Sequence, residues 1–180
     1  RPLSGSLQML DVSWNHLGDS SMALLRSGWP RSLSSLRLDW NNIGEDGATS
    51  LAAALVQPVA AALQALDLRS NPLSDRGVAA VCGAAAERVG LRWLGLGETL
   101  LTDQGAQAAM QHLRSHPTLT GLDIGENQLT DESCQAVADM ISHAPVLERL
   151  LLRGFLFEPR RISDVGGAVI ARAVASPAPP

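Results

Sequence analysis

Hydrophobic positions along this chain fall into one repeated spelling, L-x-x-L-x-L-x-x-N-x-L, written most fully by Leu119, Leu122, Ile124, Asn127 and Leu129. With the first leucine of each unit as origin, units begin at Leu7, Leu33, Leu63, Leu91, Leu119 and Leu147, so the spacings are 26, 30, 28, 28 and 28 residues. A fixed period in the twenties belongs to solenoids, in which each unit is too small to bury its own apolar face and depends on its neighbours.

Within a unit the period changes. Leu66 and Leu68 alternate with outward positions, as a short half-buried strand requires. Further on, Val78, Val81, Cys82 and Ala85 fall on one face at helical spacing. The same stripe returns as Ala48, Leu51, Ala52 and Leu55, and as Ala106, Ala109, Met110 and Leu113. It returns again as Cys134, Val137, Ala138 and Ile141, and as Gly167, Ile170, Ala171 and Val174. Ser74-Asp75, Thr102-Asp103, Thr130-Asp131 and Ser163-Asp164 precede four of these stripes. Their hydroxyls are expected to cap free amides and their carboxylates to sit at the positive end of a helix dipole. The pattern predicts an α/β solenoid of six strand-helix repeats.

Packing distances predict its shape. Parallel strands stack about 4.8 Å apart, whereas neighbouring helices need roughly 8 to 10 Å. The stack must bend into a horseshoe segment, with the parallel sheet on the concave side and the helices on the convex side. Asn15, Asn41, Asn71 and Asn127 stand where the chain leaves each strand, and their amides are expected to satisfy backbone groups that the turn leaves unpaired. Gly28-Trp29-Pro30 marks a turn, and Gln57-Pro58-Val59 should break an Ala-rich helix in the long second unit. Residues 1–174 read as a single repeat domain followed by a Pro-rich tail at 175–180, the whole being a fragment or processed piece of a longer protein.

The spelling L-x-x-L-x-L-x-x-N-x-L-[ST]-D-x-G resembles the ribonuclease-inhibitor-like class of leucine-rich repeats, over residues 7 to 174. Proteins that share this repeat include ribonuclease inhibitors, sensor arms of NOD-like immune receptors, Ran GTPase-activating proteins, tropomodulin-like actin regulators and axonemal and centrosomal scaffolds. The resemblance implies a module that acts by binding another protein. Three departures stand out: Thr99 and Phe155 replace the turn asparagine in the fourth and sixth units, and the sixth carries an insertion around Phe157-Glu158-Pro159-Arg160-Arg161.

Composition narrows the setting. A net charge of −4 argues against general nucleic-acid affinity, and no apolar run reaches the roughly 20 residues of a membrane-spanning helix. Cys82 and Cys134 lie two units apart, about 16 to 20 Å by helix spacing, so they are expected to be free thiols with no metal or redox role. Without cysteine-stapled caps, a reducing compartment is favoured, which points to the cytoplasm, with a cytoskeletal or ciliary assembly as a specific setting.

Chemistry is sparse. His112 and His116 are four apart but lack the glutamate of H-E-x-x-H and read as surface histidines; Gly95-Leu96-Gly97 begins no complete phosphate loop; the serines and aspartates fall in caps and columns. No catalytic residue, cofactor site or metal site is assigned, and no small-molecule substrate is expected. The candidate surface is the concave one, onto which strand positions three, five, seven and eight should project. Three of the four tryptophans fall there: Trp14 and Trp40 at position eight of adjacent units and Trp93 at position three of the fourth. Asp11, Arg37, Asp39, Asp67 and Arg69 alternate in sign and read as exposed, solvating pairs. Glu98 and Glu126, among glycines, suggest a smoother acidic groove. Tryptophan among charges is the composition of an interface hot spot. The expected function is a non-catalytic scaffold or adaptor centred on Trp14, Trp40 and Trp93. The alternatives are a GTPase activator of the Ran type, with Arg37, Arg69 or Arg153 as candidate arginines, and the sensing arm of an immune receptor.

Overall fold

The computed structural model describes residues 5–154 and 161–175, so Phe155, most of the insertion (157–160) and the tail at 176–180 lie outside the described residues. Six three-residue strands, β1 (Met9–Asp11), β2 (Ser35–Arg37), β3 (Ala65–Asp67), β4 (Trp93–Gly95), β5 (Gly121–Asp123) and β6 (Arg149–Leu151), form one parallel sheet in chain order. The register sets Leu10, Leu36, Leu66, Leu94, Leu122 and Leu150 side by side. The middle four are fully buried, and the two end leucines are only half-buried because each lacks a neighbour on one side.

Six helices cover one face: α1 (Asp19–Gly28), α2 (Glu45–Leu55), α3 (Ser74–Ala86), α4 (Asp103–Leu113), α5 (Cys134–His143) and α6 (Asp164–Ala175), each packed on the next. The helical stripes of the second to fifth units enter the core, together with Met22 and Trp29 from the first. The sixth stripe does not follow. Gly167, Ala171 and Val174 are exposed and only Ile170 packs inward, because no described element lies on the far side of α6. At Pro58–Ala60 the chain makes a 3-10 turn after α2, the break that Gln57-Pro58-Val59 predicts. Among the described residues no helix is long and apolar enough to cross a membrane.

Turn asparagines join the units. Asn71 donates to the carbonyls of Leu68 and Arg69 in its own unit and Leu38 in the preceding one, while its Oδ1 accepts the Ile43 amide. Asn41 and Asn127 bridge in the same way. Thr99 breaks this spine. Its hydroxyl donates to Leu96 O and Asn127 Oδ1 and does not reach the preceding unit, so the Leu73 amide, the counterpart of Ile43, turns back to Asn71 O at 2.8 Å. Ser74 next to it takes a left-handed φ of 59°.

The helix-start aspartates act differently from the sequence expectation. No side-chain cap forms at α3 or α4; instead each carboxylate binds the amide and hydroxyl at the start of the next unit's helical half. Asp75 holds Thr102 through N at 2.7 Å and Oγ1 at 2.6 Å, Asp103 holds Thr130, and Asp131 holds Ser163. Only the Thr130 and Ser163 hydroxyls accept from helix-start amides as well. Asp131 is kept below the ordinary carboxylate range first by the Ser163 hydroxyl, then by the Ser163 and Gly166 amides. A carboxylate whose pKa falls on folding stabilises the fold above its unfolded value, and that contribution is lost as pH drops through the lower folded value. Acidification below the ordinary aspartate value of about 3.9 is therefore expected to lower hydrogen-exchange protection at the Ser163 and Gly166 amides. In an Asp131→Asn variant that pH dependence should disappear.

Candidate protein-binding site

Beyond the strand ends, the position-eight residues Trp14, Trp40, Ser70, Glu98 and Glu126 share one backbone state, with φ between 54° and 57°. This left-handed conformation costs a non-glycine residue roughly 1 to 2 kcal/mol. It is held because each amide donates to the carbonyl of the preceding residue in the next unit: Trp14 to Asp39 at 3.0 Å, Trp40 to Arg69 at 2.9 Å, Ser70 to Gly97 at 2.9 Å, Glu98 to Gly125 at 3.0 Å and Glu126 to Arg153 at 2.5 Å. The parallel hydrogen-bond ladder thus runs past the sheet proper and fixes a row of side chains along one rim of the strand face.

Two tryptophans of this row meet. Trp14 and Trp40 stack with ring centroids 4.3 Å apart and planes 10° from parallel, yet remain 69% and 45% exposed. A stacked pair contributes about 0.5 to 1.5 kcal/mol beyond its burial. Trp93 does not join them. It heads β4 at the other end of the strands, lies against Gly121, where an added Cβ would be 2.4 Å from Trp93 Cε3, and has the Arg149 guanidinium 5.9 Å from its ring. Trp14 and Trp40 form the aromatic patch, and Trp93 stands apart from it on the same face, because positions three and eight are separated by about 16 Å of extended chain.

The charged columns are corrected. Asp39, Asp67 and Asp123 point to the strand face but are only 4%, 6% and 0% exposed, covered by arginines rather than solvated. Arg69 grips Asp67 through Nε at 2.9 Å and Nη2 at 2.7 Å, and its Nη1 lies 3.7 Å from Asp123 two units away. To get there it passes over Gly95 and Gly97, where an added Cβ would lie 3.4 Å and 3.5 Å from its methylenes. These carboxylates hold the Arg69 guanidinium above its ordinary pKa, chiefly through the Asp67 hydrogen bond. Arg153 reaches Asp123 at 3.2 Å, and Arg37 reaches Asp11 at 3.2 Å and Asp39 at 3.5 Å. Asp11 is exposed and lowered by the Ser13 hydroxyl and amide before Arg37 adds to the effect. The arginines lie at the surface over buried carboxylates, and removing one would leave the charge of Asp39, Asp67 or Asp123 buried without its partner.

Next to these pairs lies a pocket of about 240 Å³, lined by Trp40, Ser70, Glu98 and Glu126 from the position-eight row and by Arg69, Asp123 and Arg153. Trp40 belongs to both features, so the aromatic stack and the acidic rim are one continuous surface. Ser70 is the member sequence reasoning missed: its hydroxyl donates to Glu98 at 2.6 Å. Its place in the position-eight column was the available signal.

The other candidates for chemistry are structural. His116 is buried, not on the surface: Nδ1 accepts the Thr118 and Leu119 amides and Nε2 faces Ala85 O at 3.0 Å, which suits the neutral tautomer protonated at Nε2. His112 is exposed. Cys82 and Cys134 are buried thiols, and burial pushes Cys82 up to about 12, which removes it from thiolate chemistry at neutral pH. Among the described residues no cluster could hold a metal ion.

One strand and one helix per unit, six times over in a parallel sheet, with a turn asparagine in four of the units, define a leucine-rich repeat solenoid. Four segments, residues 6–25, 30–52, 62–82 and 115–138, match the family described as Leucine Rich repeat, and the chain belongs to it. The unmatched fourth and sixth units are those in which Thr99 and Phe155 replace the asparagine. No curated protein matches the chain by sequence. Among solved structures, one similar fold is "Leiomodin-1 Actin-Binding Site 2", with a TM-score of 0.53 and 12% identity over 94% of this chain and 82% of that one. Another is an internalin from Listeria monocytogenes, with a TM-score of 0.41 and 17% identity over 91% of this chain and 51% of that one.

Proposed function

We propose that this is a non-catalytic protein-interaction module of the ribonuclease-inhibitor-like subclass, a scaffold or adaptor that holds its partner along the position-eight rim of its concave face. The observation that carries the reading is the exposed Trp14–Trp40 stack, fixed by a strained backbone and continuous with the acidic pocket through Trp40. A surface of this composition is where interface energy concentrates. The GTPase-activator reading is less favoured, since Arg37, Arg69 and Arg153 are each engaged by aspartates. Buried unpaired thiols suit a reducing compartment, so the cytoplasm is the proposed setting, with attachment to a cytoskeletal or ciliary assembly as its specific form.

Affinity capture with the native chain, a Trp14→Ala/Trp40→Ala variant and a Trp93→Ala variant, all checked for fold by circular dichroism, tests this. A captured partner should bind the double variant about 30-fold more weakly and the Trp93→Ala variant nearly as well as the native chain. Retention by the folded double variant would move the interface to the helix side. Stimulated GTP hydrolysis by a captured GTPase would favour the activator.

A further inference from the structure

We propose that the pocket beside Trp40 is the seat of an arginine side chain presented by the partner; the proposal rests on the concave-face reading above. Charge is the first argument. Asp67 and Asp123 neutralise Arg69 and Arg153, at 2.7 Å and 3.2 Å. Among the described residues, two carboxylates on the pocket wall remain without a cation. Glu98 is aimed by the Ser70 hydroxyl, a bond that leaves its negative charge in place, and Glu126 has no side-chain partner among the described residues. Both are half-buried, and both stand on backbone whose direction is set by the next unit. An anionic ligand would face these two carboxylates, while the pocket's described arginines, Arg69 and Arg153, are already held by aspartates.

Shape is the second argument. Gly97 and Gly125 contribute no side chain to the pocket, which leaves a space of about 240 Å³ open to a head group from outside. Trp40 lines it while stacked on Trp14. A guanidinium is planar, lies flat on an indole, and offers a fork of N–H donors to a carboxylate, whereas an ammonium is a compact, strongly hydrated point charge. Glu98 and Glu126 sit in adjacent units, at strand pitch, so both can meet one guanidinium.

The test is a titration of the ¹⁵N-labelled chain, followed by amide shifts of Gly97 and Gly125 and the Trp40 indole, with acetyl-Gly-Gly-Arg-Gly-Gly-amide as probe. The lysine and citrulline versions of the peptide run beside it. The arginine peptide should give saturable shifts at all three reporters. The other two should bind at least about tenfold more weakly, and a Glu98→Gln/Glu126→Gln variant with an unchanged spectrum elsewhere should lose the response. Equal binding of the citrulline or lysine peptide, an unaffected double variant, or no saturation by about 20 mM arginine peptide would each overturn the proposal. The two readings separate cleanly in the capture experiment. A partner lost by the Trp14→Ala/Trp40→Ala variant but kept by the Glu98→Gln/Glu126→Gln variant leaves the concave interface standing and removes the arginine pocket.

Discussion

Replacing Asn127 with alanine is expected to lower the unfolding free energy by about 3 to 5 kcal/mol, read as a fall in the urea midpoint. Asn127 is only 6% exposed. Its Oδ1 accepts the Thr99 and Leu101 amides at 2.9 Å and 3.0 Å, and its Nδ2 donates to Leu96, Ile124 and Gly125. Alanine would leave two amides and the carbonyls without partners in a place that water does not reach, and each stranded buried group costs about 1 to 3 kcal/mol. Asn15 is the internal control. It is exposed and donates only to Val12 and Ser13 of its own unit, so Asn15→Ala should cost about 1 kcal/mol or less. Similar losses at the two sites would mean that the asparagines act within their turns and not as a bridge between units.

Glycine-to-alanine changes on two helices should act with opposite sign. At Gly105 a Cβ would stand 2.2 Å from Asp75 Oδ1 and 2.7 Å from Leu101 Cδ1. The carboxylate cannot yield without releasing the Thr102 amide and hydroxyl, so Gly105→Ala is expected to destabilise by about 2 to 4 kcal/mol. At Gly83, within α3, a Cβ would meet nothing closer than the His112 ring at 3.6 Å, an ordinary contact. There the same substitution should stabilise by about 0.5 to 1 kcal/mol, the helix penalty of glycine. Thermal denaturation of the two variants side by side checks both signs. A neutral Gly105→Ala would show that the helix-start aspartate can move at little cost.

How far each feature could be read in advance follows from its physical origin. Strand, turn and helix depend on which positions are apolar at which period, and the leucines and asparagines display that directly. The glycine of [ST]-D-x-G could be seen but not explained, because its reason at Gly105 and Gly166, room for the carboxylate of Asp75 or Asp131 in the preceding unit, is a contact between residues 30 or 35 positions apart. Alternation placed Asp39, Asp67 and Asp123 on the correct face. It could not show that they are covered, since that depends on where the long side chains of Arg69 and Arg153 lie once strands are adjacent. A repeat count gives the face and not the distance along it, so it cannot separate Trp93 from Trp14 and Trp40. His116 lacked any apolar signature, and its burial comes from three hydrogen bonds to backbone groups.

The shared left-handed state at Trp14, Trp40, Ser70, Glu98 and Glu126 has one further consequence. An indole, a hydroxyl and two carboxylates occupy the same backbone geometry, so the scaffold tolerates different side chains there without rearrangement. Each of these five units therefore displays one interchangeable character at a fixed pitch of about 4.8 Å, and partner choice can be rewritten a letter at a time while the frame that carries the letters is left alone.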